Sequence, residues 1–155
     1  MTERIARLGE TDWRVFAAVR MRALADSLGE NDPSYRDEAA FTAAQWRRRL
    51  RDHAQFVALI GERPVGLIGA QQENAETVYL YSLWLDPAVR GRGLAKQLVA
   101  AALDWARSSN VHTVRLRVAT DNAAARQVYE SIGFTVAEDQ TTSIADELAM
   151  RLSVS

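Results

Sequence analysis

The spacing of hydrophobic positions changes period several times along the chain, and each change predicts an element. Ile5, Ala6 and Leu8 fall in an alternating stretch over residues 4 to 8 that predicts a first strand. From a cap at Thr11 or Asp12 the spacing becomes helical and continues to about Ser27, which puts Trp13, Phe16, Ala17, Val19, Ala23 and Leu24 on one face. Arg20 falls near the middle of that face, where a charge needs a partner. Two readings stand side by side: a structural ion pair, or contact with an acidic group of a substrate. The stretch Ser27 to Phe41 contains Gly29, Asn31, Asp32 and Pro33 and reads as a loop. A second helix opens at Thr42, where Gln45 three residues on completes a capping box and Phe41 can staple onto Trp46. Trp46 and Leu50 then face inward, and the run Arg47, Arg48, Arg49 and Arg51 reads as a solvated helix face.

Past this helix the period drops to that of strands. Ala54 to Ile60 and Pro64 to Gln71 are separated by Gly61-Glu62-Arg63 and read as a hairpin. Thr77 to Leu85, rich in aromatic and β-branched residues, predicts a third strand that Pro87 ends. From Gly93 to about Ser108, Leu94, Leu98, Ala101, Ala102 and Trp105 recur at helical spacing. Val111 to Val118 predicts a strand, Asn122 to Ile132 a short helix closed by Gly133, and Phe134 to Ala137 and Leu148 to Leu152 the last strands. Strand, helix and strand from 77 to 118 form one βαβ unit, so those two strands are expected to be parallel, and the flanking hairpins antiparallel. The expected fold is α/β: a mixed, mostly antiparallel sheet with a central parallel pair, flanked by about four helices.

Composition narrows the function classes. With 155 residues, 48% hydrophobic and 25% charged, and no internal repeat or linker, residues 1–155 are expected to form one domain. The 19 basic and 20 acidic side chains give a net charge of -1, which argues against a nucleic-acid binder, including one that would use the arginine-rich helix. There are no cysteines, so disulfides, thiolate zinc sites and cysteine nucleophiles are excluded. His53 and His112 are the only histidines, and no metal site is expected. No segment approaches the roughly 18 apolar residues of a membrane span, and Met1 to Arg4 run into an alternating stretch instead of a signal-peptide core. The expectation is a cytoplasmic protein.

The most informative stretch is Leu83-Trp84-Leu85-Asp86-Pro87-Ala88-Val89-Arg90-Gly91-Arg92-Gly93-Leu94-Ala95, a strand end, a glycine-containing loop and a helix start. Free backbone N–H groups and the positive end of a helix dipole meet there, which suits a phosphate or pyrophosphate. Gly91 and Gly93 let the backbone approach an anion, and Arg90 and Arg92 add positive charge. The Rossmann pattern fails because Lys96 stands at its third glycine, and the P-loop pattern fails because its Lys-Ser/Thr pair is absent.

Arg90-x-x-Gly93-x-Ala95 after a strand resembles the acyl-CoA pyrophosphate loop of the GNAT-superfamily N-acetyltransferases. Asn122-x-x-Ala125-x-x-x-Tyr129-x-x-x-Gly133-Phe134 is similar to the family's second CoA-contacting segment, about 30 residues on and across a strand. The resemblance covers residues 77 to 137. It implies a GNAT-like sheet whose parallel pair splays apart for CoA, with acetyl-CoA as donor and a primary amine of a small molecule or protein as acceptor. It also implies a CoA site at Leu83, Trp84, Leu85, Arg90, Gly91, Arg92, Gly93, Leu94, Ala95, Asn122 and Tyr129. In the family a backbone N–H near Leu85 polarises the thioester carbonyl, and Tyr129 stands where the acid that serves the departing thiolate stands.

Each assignment has a structural counterpart. Leu83, Trp84 and Leu85 are also strand core residues, Asn122 also caps its helix, and Tyr129 shares a helix face with Ala125, Val128 and Ile132. The strand that carries a glutamate in many relatives offers Tyr79, Tyr81 and Ser82 here, so the base is a water chain, Glu38 or Asp37. The missing carboxylate also motivates an alternative, a CoA-binding regulatory or interaction module. Without cysteine, transfer is expected to be direct. The acceptor is left open, to be read by the first 40 or so residues and by Glu138 to Asp146. The oligomeric state is open too, a homodimer among the arrangements compatible with it.

Overall fold

A computed structural model of the chain describes residues 2–137 and 146–154. Its strands are β1 (Glu3–Leu8), β2 (Ala54–Ile60), β3 (Arg63–Gln72), β4 (Thr77–Leu85), β5 (Thr113–Ala119), β6 (Thr135–Val136) and β7 (Glu147–Ser153). They form one sheet in the order β1-β2-β3-β4-β5-β7-β6, antiparallel at every step except between β4 and β5. This is the mixed sheet that the βαβ unit and the two hairpins predict.

Helices cover both faces. Against one face lie α1 (Trp13–Ser27) and α3 (Ala43–Asp52), whose Phe16, Val19, Trp46 and Leu50 are buried with Val57, Leu59, Leu67 and Trp84. On the other lie α4 (Leu94–Ser108) and α5 (Ala123–Ile132), where Leu94, Leu98, Val99, Leu103 and Tyr129 pack on Phe56, Ile68, Val78, Leu80, Val114 and Leu116. Each such side chain contributes about 1.5–3 kcal/mol of burial, so the two clusters fix the sheet between its helices. The capping box forms as predicted: Thr42 Oγ1 accepts from the Gln45 N–H and Gln45 Oε1 from the Thr42 N–H, while Phe41 meets the Trp46 ring edge-on at 5.0 Å.

The region from Ser27 to Phe41 is not all loop. Pro33–Ala39 form a helix, α2, so among the described residues five α-helices flank the sheet, in keeping with the expectation of about four. Asp32 caps it by accepting from the Ser34 N–H, and Pro33 supplies a first helical residue that has no N–H to satisfy. The fifth strand begins at Thr113 and not at Val111, whose side chain is buried in the connection before it. Among the described residues no helix is long and apolar enough to cross a membrane.

Two irregularities in β4 shape the centre of the molecule. Opposite β3, Trp84 pairs with Leu67 but Tyr81 pairs with Gly69, so Ser82 and Leu83 together face Ile68. This is a β-bulge, and Ser82 takes the left-handed conformation there, with φ 63°. The extra residue reverses the strand's alternation: Val78 and Leu80 point into the α4–α5 core, whereas Trp84 points into the α1–α3 core. On its other edge β4 pairs with β5 only at Thr77, Val78 and Tyr79. From Leu80 onward the two strands diverge, as the resemblance to splayed parallel pairs implies.

Candidate active site

Divergence of β4 and β5 leaves the β4 backbone from Leu80 to Leu85 without a strand partner on that edge. Asp86 N–H is bonded to Val65 O on the β3 side at 2.8 Å, so by strand alternation Leu85 turns its N–H and C=O into the gap. Arg90 Nε donates to Leu85 O at 3.1 Å, as that orientation requires. The Leu85 N–H therefore faces the gap as a free donor even though the Leu85 side chain is buried. An extended chain with amide groups could pair along this edge as an added strand would.

At the mouth of the gap the loop after β4 turns into α4. Gly91 and Gly93 have φ of 86° and 81°, and a Cβ built on either would meet no atom within 4 Å. Gly93 is the N-cap of α4 and no side chain caps the helix, so the first-turn N–H groups of Leu94, Ala95 and Lys96 have no intrahelical acceptor. Leu94 buries its side chain completely, which leaves only its backbone for the loop. The charges nearby are already engaged. Arg90 pairs with Asp26 Oδ2 at 3.1 Å, the same oxygen that accepts from Trp84 Nε1 at 2.8 Å, and Arg92 pairs with Glu3 at 3.4 Å. An anion at this loop would meet backbone N–H groups and open space more than free arginine charge.

A cleft of about 310 Å³ runs from this loop along β4 to α5, bordered by Leu83, Trp84, Leu85, Arg90, Gly91, Ala95 and Asn122. These are residues that the sequence singles out; Ser27, Ala124, Ala125 and Val128 join them on the walls. Asn122 caps α5, its Oδ1 accepting from the Ala125 N–H at 3.1 Å, so of its side-chain amide only the NH₂ remains free to donate. The cleft leads to a smaller cavity of about 170 Å³ between the diverging strands, which Leu83, Asn122 and Ala125 also border. Tyr129 reaches this cavity from α5, and Tyr81, Ser82 and Arg117 border it too.

Tyr129 is buried against Phe134, and its hydroxyl has no hydrogen-bond partner among the described residues. Burial, and secondarily the charge of Tyr79, holds its phenol well above the ordinary tyrosine range. The hydroxyl is therefore a proton-bearing donor aimed at an inner cavity. A thiol ionises near 8.5, so full proton transfer from such a phenol to a thiolate is uphill; a donated hydrogen bond is the role its environment favours.

The carboxylates proposed as bases sit differently from expectation, on α2 instead of a loop. Asp37 is exposed. Glu38 is buried, but Arg20 Nε and Nη2 donate to its two oxygens at 2.9 and 3.0 Å and Arg49 lies 3.6 Å away. Arg20 thus has the ion partner its place on α1 demands, and its Nη1 donates to Ser82 Oγ at 2.8 Å. On the same face Tyr81 OH accepts from Gln55 Nε2 at 2.7 Å and shares a hydrogen bond with His53 Nδ1 at 2.5 Å. Burial, with Arg49 in second place, pushes the His53 imidazole below its ordinary value, and burial pushes the Tyr81 phenol up. No group of three or more metal-ligating side chains occurs among the described residues. Of the segment Glu138 to Asp146 read as an acceptor contact, residues 138–145 lie outside the described residues. Arg117 was not legible as a site residue; its one signal is an arginine alternating with Val114, Leu116 and Val118 on a core strand.

Comparison with known proteins agrees with this geometry. The family profile described as "Acetyltransferase (GNAT) family" matches residues 21–134. The chain is 34% identical over 141 residues to a mycothiol acetyltransferase of Sanguibacter keddieii, covering 85% of the chain and 42% of that protein. It is 41% identical over 78 residues to a mycothiol acetyltransferase of Corynebacterium glutamicum, covering 50% of the chain and 27% of the relative. The chain thus spans less than half the length of these relatives. In fold it is similar to the PaiA N-acetyltransferase of Thermoplasma acidophilum crystallised with coenzyme A, with a TM-score of 0.78 and 16% identity over 99% of both chains.

Proposed function

The chain belongs to the acetyltransferase (GNAT) family, and from that premise we propose that it transfers an acetyl group from acetyl-CoA directly to a primary amine of a small molecule or a protein. The observation that carries the proposal is the three-residue pairing of β4 with β5, after which the strands diverge beside the uncapped N-terminus of α4 and around the Tyr129 hydroxyl. Acetyl-CoA supplies an activated acetyl thioester. The backbone N–H groups of Gly91 to Lys96 would hold its pyrophosphate, because Gly91 and Gly93 leave open space where any other residue carries a Cβ. The free β4 edge would pair with its pantetheine amides, and the arm would pass Asn122 and Ala125, which border both cleft and inner cavity.

There Leu85 N–H would polarise the reacting carbonyl and Tyr129 would donate a hydrogen bond to the sulfur as charge develops on it. Transfer is direct, since the chain has no cysteine to carry an acyl group. An alkylammonium group near 10.4 must lose a proton before it attacks. Glu38 is clamped by two arginines, so a chain of waters that relays the proton through the open cleft to solvent is the favoured route. The alternative of a non-catalytic CoA-binding module would leave unexplained why Tyr129, a buried residue whose hydroxyl has no partner among the described residues, borders the inner cavity. We place the enzyme in the cytoplasm.

The test is CoA release from acetyl-CoA across a panel of amines, mycothiol-related compounds included. Amine-dependent release with formation of the acetylated amine supports the reading. Tight CoA binding with no release for any amine would leave the binding module in its place.

A further inference from the structure

We propose that the acceptor carries a carboxylate close to its amino group and that Arg117 receives it. The inference rests on the acetyl-transfer reading and adds the substrate class. Alternation along β5 turns Val114, Leu116 and Val118 into the α4–α5 core and Arg115 and Arg117 onto the opposite face. The two arginines differ in their partners. Arg115 is held by both oxygens of Glu73, at 2.5 and 2.6 Å, with its guanidinium 4.8 Å over the Tyr79 ring. Among the described residues Arg117 makes no hydrogen bond or ion pair, and its Nη1 is shielded from solvent with no acceptor. Buried N–H groups without a partner are rare in native proteins, and a bound ligand is one reason they persist.

Arg117 borders the same small cavity as Tyr129 and Ser82. Of the acidic groups around it, Glu38 is clamped by Arg20 and Arg49 and Glu73 by Arg115, while Glu147 on β7 makes no ion pair with it and does not border the cavity. Among the described residues the uncommitted charge at this cavity is therefore positive. A single guanidinium presents a planar fork that matches one carboxylate through two hydrogen bonds. The remaining walls include Leu80, Leu83 and Val118, which suit a short apolar spacer and not a second ionic group. An amino carboxylate seated on Arg117 would hold its amine inside the cavity that Tyr129 faces.

The experiment compares acetyl-CoA turnover by the full chain on matched pairs that differ by one carboxylate: alanine with ethylamine and γ-aminobutyrate with propylamine, with phosphoethanolamine as a third arm. For at least one pair the carboxylate partner should show a kcat/KM about tenfold or more above the neutral amine, as expected when a buried donor is left unpaired by the analogue. Arg117→Gln should raise the KM for the carboxylate acceptor by about tenfold or more and bring the ratio near one. Its melting temperature should stay or rise, because no native partner is lost. Neutral amines preferred throughout, phosphoethanolamine above every carboxylate, an equal loss for both members of a pair, or a lower melting temperature would each overturn the assignment. If neutral amines are acetylated and carboxylates are not, only this inference fails; if acetyl-CoA binds and no amine is acetylated, the acetyl-transfer reading fails with it.

Discussion

Arg20 donates to both carboxylate oxygens of Glu38, at 2.9 and 3.0 Å, and to Ser82 Oγ at 2.8 Å, so one guanidinium ties α1 to α2 and to the bulge of β4. Both charged side chains are largely removed from solvent, at 16% and 10% exposure. Arg20→Met should therefore lower unfolding free energy by about 3 kcal/mol, the scale for stranding one member of a buried pair. Adding Glu38→Gln should recover part of that loss, since the stranded charge is gone. Denaturant melts of both variants and the double variant measure the coupling, and simple additivity would show that the pair does not act as a unit.

Gly93→Val tests the loop. At φ 81° a side chain is strained, and here it would also project into the open space beside the α4 N-terminus. Gly61, in the β2–β3 turn, has φ 60° and serves as a control for the backbone penalty alone. By calorimetry, Gly93→Val should lose CoA binding while Gly61→Val keeps the parental affinity. Equal CoA affinity in a folded Gly93→Val protein would place the pyrophosphate elsewhere.

Tyr129→Phe keeps the ring and its burial, so a packing role predicts an unchanged rate. A hydrogen bond to the departing sulfur predicts a single-turnover rate lower by about 10- to 10³-fold, with acetyl-CoA affinity little changed. Single-turnover measurement is needed because slow product release would hide the difference.

His53 gives the fold a pH dependence. Its imidazole titrates below the ordinary value, and Nδ1 shares a hydrogen bond with Tyr81 OH. The unfolded chain takes up this proton more readily, so the stabilisation is complete above about pH 6.5 and is lost as pH falls through the lower folded value. His53→Asn should flatten the decline in melting midpoint between pH 7 and 5 relative to the parent. Parallel curves for the two proteins would remove His53 from the account.

Elements with strong local signals were legible in the sequence. The Thr42–Gln45 capping box and the alternation of Val114, Leu116 and Val118 each have local causes, and both are present in the structure. The α2 helix was missed although Asp32-Pro33 is a helix-start signature, because a seven-residue helix with only Glu38 buried carries no apolar period. The β4 bulge had no glycine to mark it, since Ser82 takes the left-handed turn. The partners of Arg20, Arg90 and Arg92 lie 18, 64 and 89 residues away in sequence, beyond the reach of any local pattern. For the same reason the contrast between a clamped Arg115 and an unpartnered Arg117 emerges only in three dimensions.

Direct passage of an acetyl group from acetyl-CoA to an amine across the split between β4 and β5 can be followed in time. A rapid-quench experiment with the protein preloaded with acetyl-labelled acetyl-CoA and mixed with an accepted amine tests it most directly. Label should leave CoA and appear in the amine at the same rate, with none on the protein at any time. Label that passes through the polypeptide, or that stays on CoA while the amine is present, would contradict it.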